Sequence, residues 1–149
     1  MIDRQLLLEK LARLSQYVGY LRDMHGLDYK LLETDFRSRG AVERYMHLSI
    51  ETVIDIGNEI ISSLQLEKPE RYRDIPRILV AEKIITARLG KSVDDMIGFR
   101  NILVHDYARI NLRLEWTFLR SRVKDLRSFA NQIKRFLTAR RAKKRQPSR

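Results

Sequence analysis

The stretch AVERYMHLSIETVIDIGNEIISSLQL, residues 41–66, is the longest unbroken helical pattern in the chain. Tyr45, Ser49, Thr52, Val53, Ile56, Ile60 and Ser63 recur at spacings of three, four and one, the arrangement that lines one face of an α-helix. That seam is apolar but holds small residues, which let a neighbouring helix approach closely. Lys68-Pro69-Glu70 ends the pattern.

Working outward, every neighbouring segment also reads as helix. Leu7, Leu11, Leu14, Val18 and Leu21 form an amphipathic stripe between about Asp3 and Met24, with Asp3 as N-cap and His25-Gly26 as the stop. Leu27 to Arg37 fits a short second helix capped by Asp28, and Ser38-Arg39-Gly40 reads as a break. A further helix restarts near Ile75, with Asp74 as cap and Pro76 in its first turn. Leu89-Gly90-Lys91 reads as another break, after which Ser92 caps a helix with Asp94 and Asp95 favourably placed in its first turn. Asn111 to Leu137 reads as one last helix, with Leu112, Trp116, Leu119, Val123, Leu126, Phe129, Ile133 and Phe136 on a broad stripe. Sustained period-two alternation is absent. The expected fold is an all-α bundle of five or six helices.

The chain has 149 residues, which fits one domain. It has no cysteine, which excludes disulfides and thiolate metal sites. The N-terminus is charged and amphipathic rather than built like a signal peptide, and no apolar run approaches the ~20 residues of a membrane span. The expected location is the cytoplasm. Net charge is +11. Six cations sit in TARRAKKRQPSR, residues 138–149, which holds no acid. The expected organisation is therefore a helical domain over 1–137 and a basic tail over 138–149, disordered or only partly helical. Such a tail is either a solubilising terminus or a non-specific phosphate-binding arm. No Gly-rich phosphate loop occurs.

Chemistry concentrates in FRNILVHDY, residues 99–107. A rotation of about 100° per residue places Val93, Val104 and Ile97 on one side of Arg100, and Tyr107, Met96 and Leu103 on the other. The apolar stripe is thus centred near an arginine. Burying a guanidinium is costly unless it is paired, so Arg100 either meets a carboxylate across a helix interface or lines a cleft. Asp55 and Glu59, flanking the inner face of the long helix, are the candidate partners. Asn101 and His105, four residues apart, are neighbours on the rim, so Asn101 could orient the imidazole. One continuous helix does not bring all four polar residues together. The helix should end near His105, or a second subunit should close the site. A histidine can move protons near neutral pH, and an arginine can grip a phosphate. With the RNA 2′-hydroxyl as internal nucleophile, that pair suffices for cleavage without a metal. The structural alternative is a salt bridge and a satisfied histidine.

The remaining polar residues read as structural. His25 lies at a helix end and His47 on the polar side of the long helix. Glu43 and Glu51 read as a solvated face. Tyr17, Tyr20, Tyr29 and Tyr45 read as core or interface aromatics. Two remote histidines make no metal site, and no metal or other cofactor is expected.

RNILVHDY matches without a gap the Arg-x4-His-x-Tyr motif of HepT-type toxins in the HEPN superfamily. AVERYMHLSIETVIDIGNEII resembles the long central helix of that family, and GKSVDDMIGFRNILVHDY its motif helix and lead-in. The likeness spans roughly Leu6 to Leu137 and leaves out the basic tail. The resemblance implies a helical bundle that dimerises with its motif helices facing each other. It implies a metal-independent ribonuclease toxin with an MntA-like minimal nucleotidyltransferase as antitoxin. Carried across, Arg100 stabilises the scissile phosphate, His105 is general acid/base, Asn101 supports them, and Tyr107 accepts AMP when the antitoxin silences the toxin. Two alternatives remain: a non-catalytic HEPN binding subunit of a nucleotidyltransferase complex, and a basic nucleic-acid-binding protein without enzymatic activity.

Overall fold

A computed structural model describes residues 1–105 and 111–145, without the side chains of residues 104 and 105. These residues form seven α-helices and no strand: α1 (Arg4–Asp23), α2 (Tyr29–Thr34), α3 (Phe36–Ser63), α4 (Asp74–Ala81), α5 (Ala87–His105), α6 (Leu112–Ser121) and α7 (Val123–Arg145). None of these helices is long and apolar enough to cross a membrane.

Helix α3 is the axis of the molecule, packed against α1, α2, α4, α5, α6 and α7. That contact explains why its buried surface is wider than one stripe. Val42, Met46, Ile50, Ile54, Gly57 and Ile61 join Ser49, Thr52, Val53, Ile56 and Ile60 in the interior. The buried hydroxyls donate to their own helix, Ser49 Oγ to the Tyr45 carbonyl at 2.6 Å and Thr52 Oγ1 to that of Leu48 at 2.7 Å. They therefore enter the core without unsatisfied donors. Leu7, Leu11, Leu14, Val18 and Leu21 of α1 are buried as their spacing predicts. Asp3 and Asp28 cap α1 and α2, accepting from Leu6 N–H at 3.0 Å and Leu31 N–H at 2.7 Å. Tyr45 packs with Tyr17 and Tyr20, and Tyr29 meets Trp116 edge-on.

Several expected boundaries move, each for a local reason. Ser38-Arg39-Gly40 lies inside α3. Asp35 caps the helix instead, accepting from Arg37 N–H at 3.1 Å and Ser38 Oγ at 2.8 Å. Likewise Leu89-Gly90-Lys91 lies inside α5, and Ser92 is no cap. Thr86 precedes α5, and its Oγ1 accepts from Leu89 N–H at 3.3 Å. Gly57 and Gly90 are packing residues: a Cβ at either would overlap Ile75 or Val80 of α4. Their missing side chains let α4 settle against α3 and α5.

The expected last helix is two, divided at Arg122. The Arg122 side chain reaches α5, donating to Ser92 Oγ at 3.1 Å and Asp95 Oδ2 at 2.9 Å. Ser92 in turn donates to Asp125 Oδ2 at 2.6 Å. This raises the helix count from the expected five or six to seven among the described residues. Helix α7 continues to Arg145, past the boundary expected at Leu137, so residues 138–145 are helical.

Helix α6 is tied to α3 through a buried acid. Glu115 is fully buried. Arg39 Nη2 lies 3.5 Å from Glu115 Oε1, and Arg39 Nε donates to Glu43 Oε1 at 3.0 Å. Burial, reinforced by the neighbouring Glu43 carboxylate and opposed by Arg39, pushes the Glu115 carboxyl up to about 8. The folded protein then keeps a proton that the unfolded chain releases near 4.5. The stability this contributes is complete below that lower value and is lost as pH rises through about 8. Thermal unfolding followed from about pH 6 to about pH 9 should show a falling Tm, and Glu115→Gln should flatten that fall.

Candidate functional site

The site is built where the last two turns of α5 pass α3. Val93, Met96, Ile97 and Leu103 are buried, as the helical projection predicts, so α5 turns this face inward. Arg100 points the same way, and only 14% of its side chain is exposed. Its Nε donates to Glu51 Oε1 on α3. Its Nη1 donates to Asn101 Oδ1 at 3.2 Å. The Arg100 Cζ lies 5.1 Å from the centroid of the Tyr72 ring, a cation–π geometry. The pairing that a part-buried guanidinium requires is therefore present, but through different residues from those expected.

Asp55 and Glu59 do not hold Arg100. Asp55 is exposed, and Glu59 Oε1 accepts from Ser63 Oγ at 3.2 Å on its own helix. Glu51 lies one turn before Asp55 on the same i, i+4 row. The row follows from the sequence, whereas the height at which α5 crosses it does not. Glu51, read as solvated, is thus the anchor of the site. His47 stands one turn earlier still, with Nε2 3.4 Å from Glu51 Oε1. Asn101 serves the arginine, as its Oδ1 accepts from it.

Tyr72 is the other residue the sequence leaves unmarked. It sits in the turn before α4, and its neighbour Arg73 clamps that turn onto α5. Arg73 donates from Nε and Nη2 to the two carboxylate oxygens of Asp94 at 2.9 and 2.7 Å. This fork holds the Asp94 carboxyl below the usual range. Asp74 adds a second restraint, accepting from Glu70 N–H at 3.1 Å and Arg71 N–H at 3.0 Å. Its carboxyl is lowered chiefly by the Arg71 amide. The Tyr72 ring is carried to Arg100 by these two aspartates.

A guanidinium carries five N–H donors. Here one goes to Glu51 and one to Asn101, and among the described residues the other three have no acceptor. Among the described residues the fork is held at Nε by Glu51 and at one Nη1 proton by Asn101, which leaves three Nη donors for a phosphate. Helix α5 is helical as far as His105, five residues on. The His105 side chain, Asp106 and Tyr107 lie outside the described residues. Among the described residues no group of three histidines or carboxylates could hold a metal ion.

The model of the family described as "Ribonuclease HepT-like" matches residues 7–133. The mRNA nuclease HepT of Shewanella oneidensis is 29% identical over 129 residues, which is 87% of this chain and 96% of that protein. The putative RNase YutE of Bacillus subtilis is 31% identical over 108 residues, covering 70% of this chain and 75% of that one. Among solved structures, the tri-AMPylated Shewanella oneidensis HEPN toxin in complex with MNT antitoxin superposes with a TM-score of 0.80 at 29% identity. The match covers 90% of this chain and 98% of that chain. With the fold, the extent of the match and the motif helix in agreement, the chain belongs to the HepT-like ribonuclease family.

Proposed function

We propose that this protein is the cytoplasmic ribonuclease toxin of a toxin–antitoxin pair, cutting RNA at Arg100 and His105 without a metal. The observation that carries this reading is the Arg100 guanidinium, five residues before the motif histidine, tied to Glu51 and Asn101 with three Nη donors that have no acceptor among the described residues. The names of the relatives support it, one an mRNA nuclease and another a toxin solved with its antitoxin.

In this mechanism His105 takes the proton from a ribose 2′-hydroxyl as that oxygen attacks the adjacent phosphorus. The open Nη donors of Arg100 bind the non-bridging oxygens, where negative charge grows. The bond to the 5′-oxygen breaks, an imidazolium returns the proton to it, and a 2′,3′-cyclic phosphate is left. Glu51 and Asn101 are positioning residues that fix the arginine. A homodimer with facing motif helices brings the two copies of the site together. RNA phosphates bind along α7, where Arg127, Lys134, Arg141 and Arg145 are exposed at spacings that share one face.

Control comes from a nucleotidyltransferase antitoxin of the MntA type. The Tyr107 hydroxyl attacks the α-phosphorus of ATP, pyrophosphate leaves, and the AMP ester remains. A phosphate placed beside Arg100 occupies its donors and repels RNA.

Purified wild type should cleave single-stranded RNA with equal rate in EDTA and in magnesium. His105→Ala should lose about 10²–10⁴-fold in rate while keeping its helical circular dichroism. A wild type inert toward RNA contradicts the proposal and favours a non-catalytic binding subunit. Incubation with the antitoxin and ATP should add AMP to wild type but not to Tyr107→Phe, read by intact mass. Equal addition to both places the modification elsewhere.

A further inference from the structure

A second feature adjoins Arg100 and has no part in the chemistry above. Between the C-terminal end of α3 and the turn that carries Tyr72 lies a cavity of about 470 Å³. That volume falls in the range of small-molecule sites. Its apolar lining comes from Ile61, Leu66 and Pro69, and Tyr72 forms one wall. Asn58, Ser62 and Gln65 also face it. Among the described residues the side chains of these three make no hydrogen bond. The cavity thus combines an apolar body, an aromatic wall, and uncharged donors and acceptors that are free of protein partners among the described residues and open to solvent, Ser62 and Gln65 being exposed and Asn58 half-buried.

The backbone supports the same reading. Gln65 has φ 53°, in the left-handed region, where it ends α3. Leu66 N–H reaches back to the Ile61 carbonyl at 3.0 Å, and Gln65 N–H to that of Ser62 at 3.1 Å. Glycine is the usual residue at such a helix end because it adopts this conformation without steric cost. A glutamine here carries that cost and places a primary amide at the cavity.

The geometry points to a nucleobase subsite: one unpaired base of the RNA enters this cavity, stacks on Tyr72 and is read at its edge by Asn58, Ser62 and Gln65. Amide side chains offer paired donor and acceptor atoms to a base edge, and aromatic rings stack any base. Glu70, another lining residue, brings a carboxylate that accepts from an exocyclic amine. Lys68 and Arg71 at the cavity carry charge for the flanking phosphates. The placement is what ties the subsite to cleavage. One ring, Tyr72, both walls the cavity and lies against Arg100. A base held there sits a single aromatic residue from the guanidinium that grips the scissile phosphate. The subsite would therefore set which step of the RNA is cut. This inference rests on the ribonuclease reading, but its test does not require cleavage.

The test is an amide NMR titration of the whole protein with adenosine, guanosine, cytidine and uridine 5′-monophosphates, each alone, and with ribose 5-phosphate. At least one nucleotide should shift the side-chain amides of Asn58 and Gln65 saturably, and ribose 5-phosphate should not. Tyr72→Ala should weaken that binding about 5–150-fold, the equivalent of losing one base stack, whereas Tyr72→Phe should retain it. Asn58→Ala, at an ordinary helical position, should reduce discrimination among the four bases. No shift with any nucleotide, an equal response to ribose 5-phosphate, or unchanged affinity in Tyr72→Ala overturns the subsite. Nucleotide binding at these residues without RNA cleavage would sustain the subsite and contradict only the ribonuclease reading.

Discussion

A guanidinium on the buried face of α5 is the constraint around which the candidate site of this protein is arranged. Arg100 occupies a place in the apolar stripe where aliphatic residues stand one turn before and after it. Removing such a charge from water costs several kcal/mol unless partners replace the lost hydration. Glu51, Asn101 and the Tyr72 ring supply them from three different elements. The same contacts orient the fork, so in the proposed mechanism a requirement of folding and a requirement of phosphate binding are met by one set of side chains. An ion pair like this is weak evidence for stability in itself, since an apolar pair of similar volume often does as well. Its presence in an otherwise apolar interface is therefore better explained by the role proposed for the arginine than by stability.

The rest of the architecture holds α5 so that this end is defined. Its first half is fixed to α6 and α7 through the cluster of Ser92, Asp95, Arg122 and Asp125. Its middle is fixed to the turn before α4 by Arg73 and Asp94, with the Arg73 guanidinium lying against Gly98, where a Cβ would stand 3.7 Å from it. Helix α4 is admitted between α3 and α5 by the two glycines that face it. Tyr72 reaches Arg100 only because all three of these arrangements coincide. Polar residues that look dispersed along the chain thus act on one object, the placement of the α5 C-terminal turns.

The helical class and the buried stripes were legible because they depend on local periodicity. The boundaries at Gly40 and Gly90 were not: Gly90 admits α4 where the sequence reads a break, and Gly40, with nothing near its missing Cβ, is simply carried inside a helix that Asp35 caps five residues earlier. Arg100 was identifiable as an anomaly, since a charge inside an apolar stripe demands an explanation that periodicity alone can pose. Its partner was not, because the choice among Glu51, Asp55 and Glu59 depends on the crossing height of two helices. Nothing local marks Tyr72 either: its role comes from Arg73 and Asp94, which are 21 residues apart in sequence. The roles proposed for His105 and Tyr107 come from the family motif rather than from any pattern of hydrophobicity.

The most direct test is a double-mutant cycle on Arg100→Leu and Glu51→Leu, with denaturant stability and RNA cleavage measured on the same preparations. Each single change should destabilise the fold, Glu51→Leu by about 3 kcal/mol, because it leaves an uncompensated, largely buried charge. The double variant should regain most of that stability, since two apolar side chains replace the pair, and should nevertheless have no cleavage activity. Stability losses that simply add, or a double variant that still cuts RNA, would contradict the account.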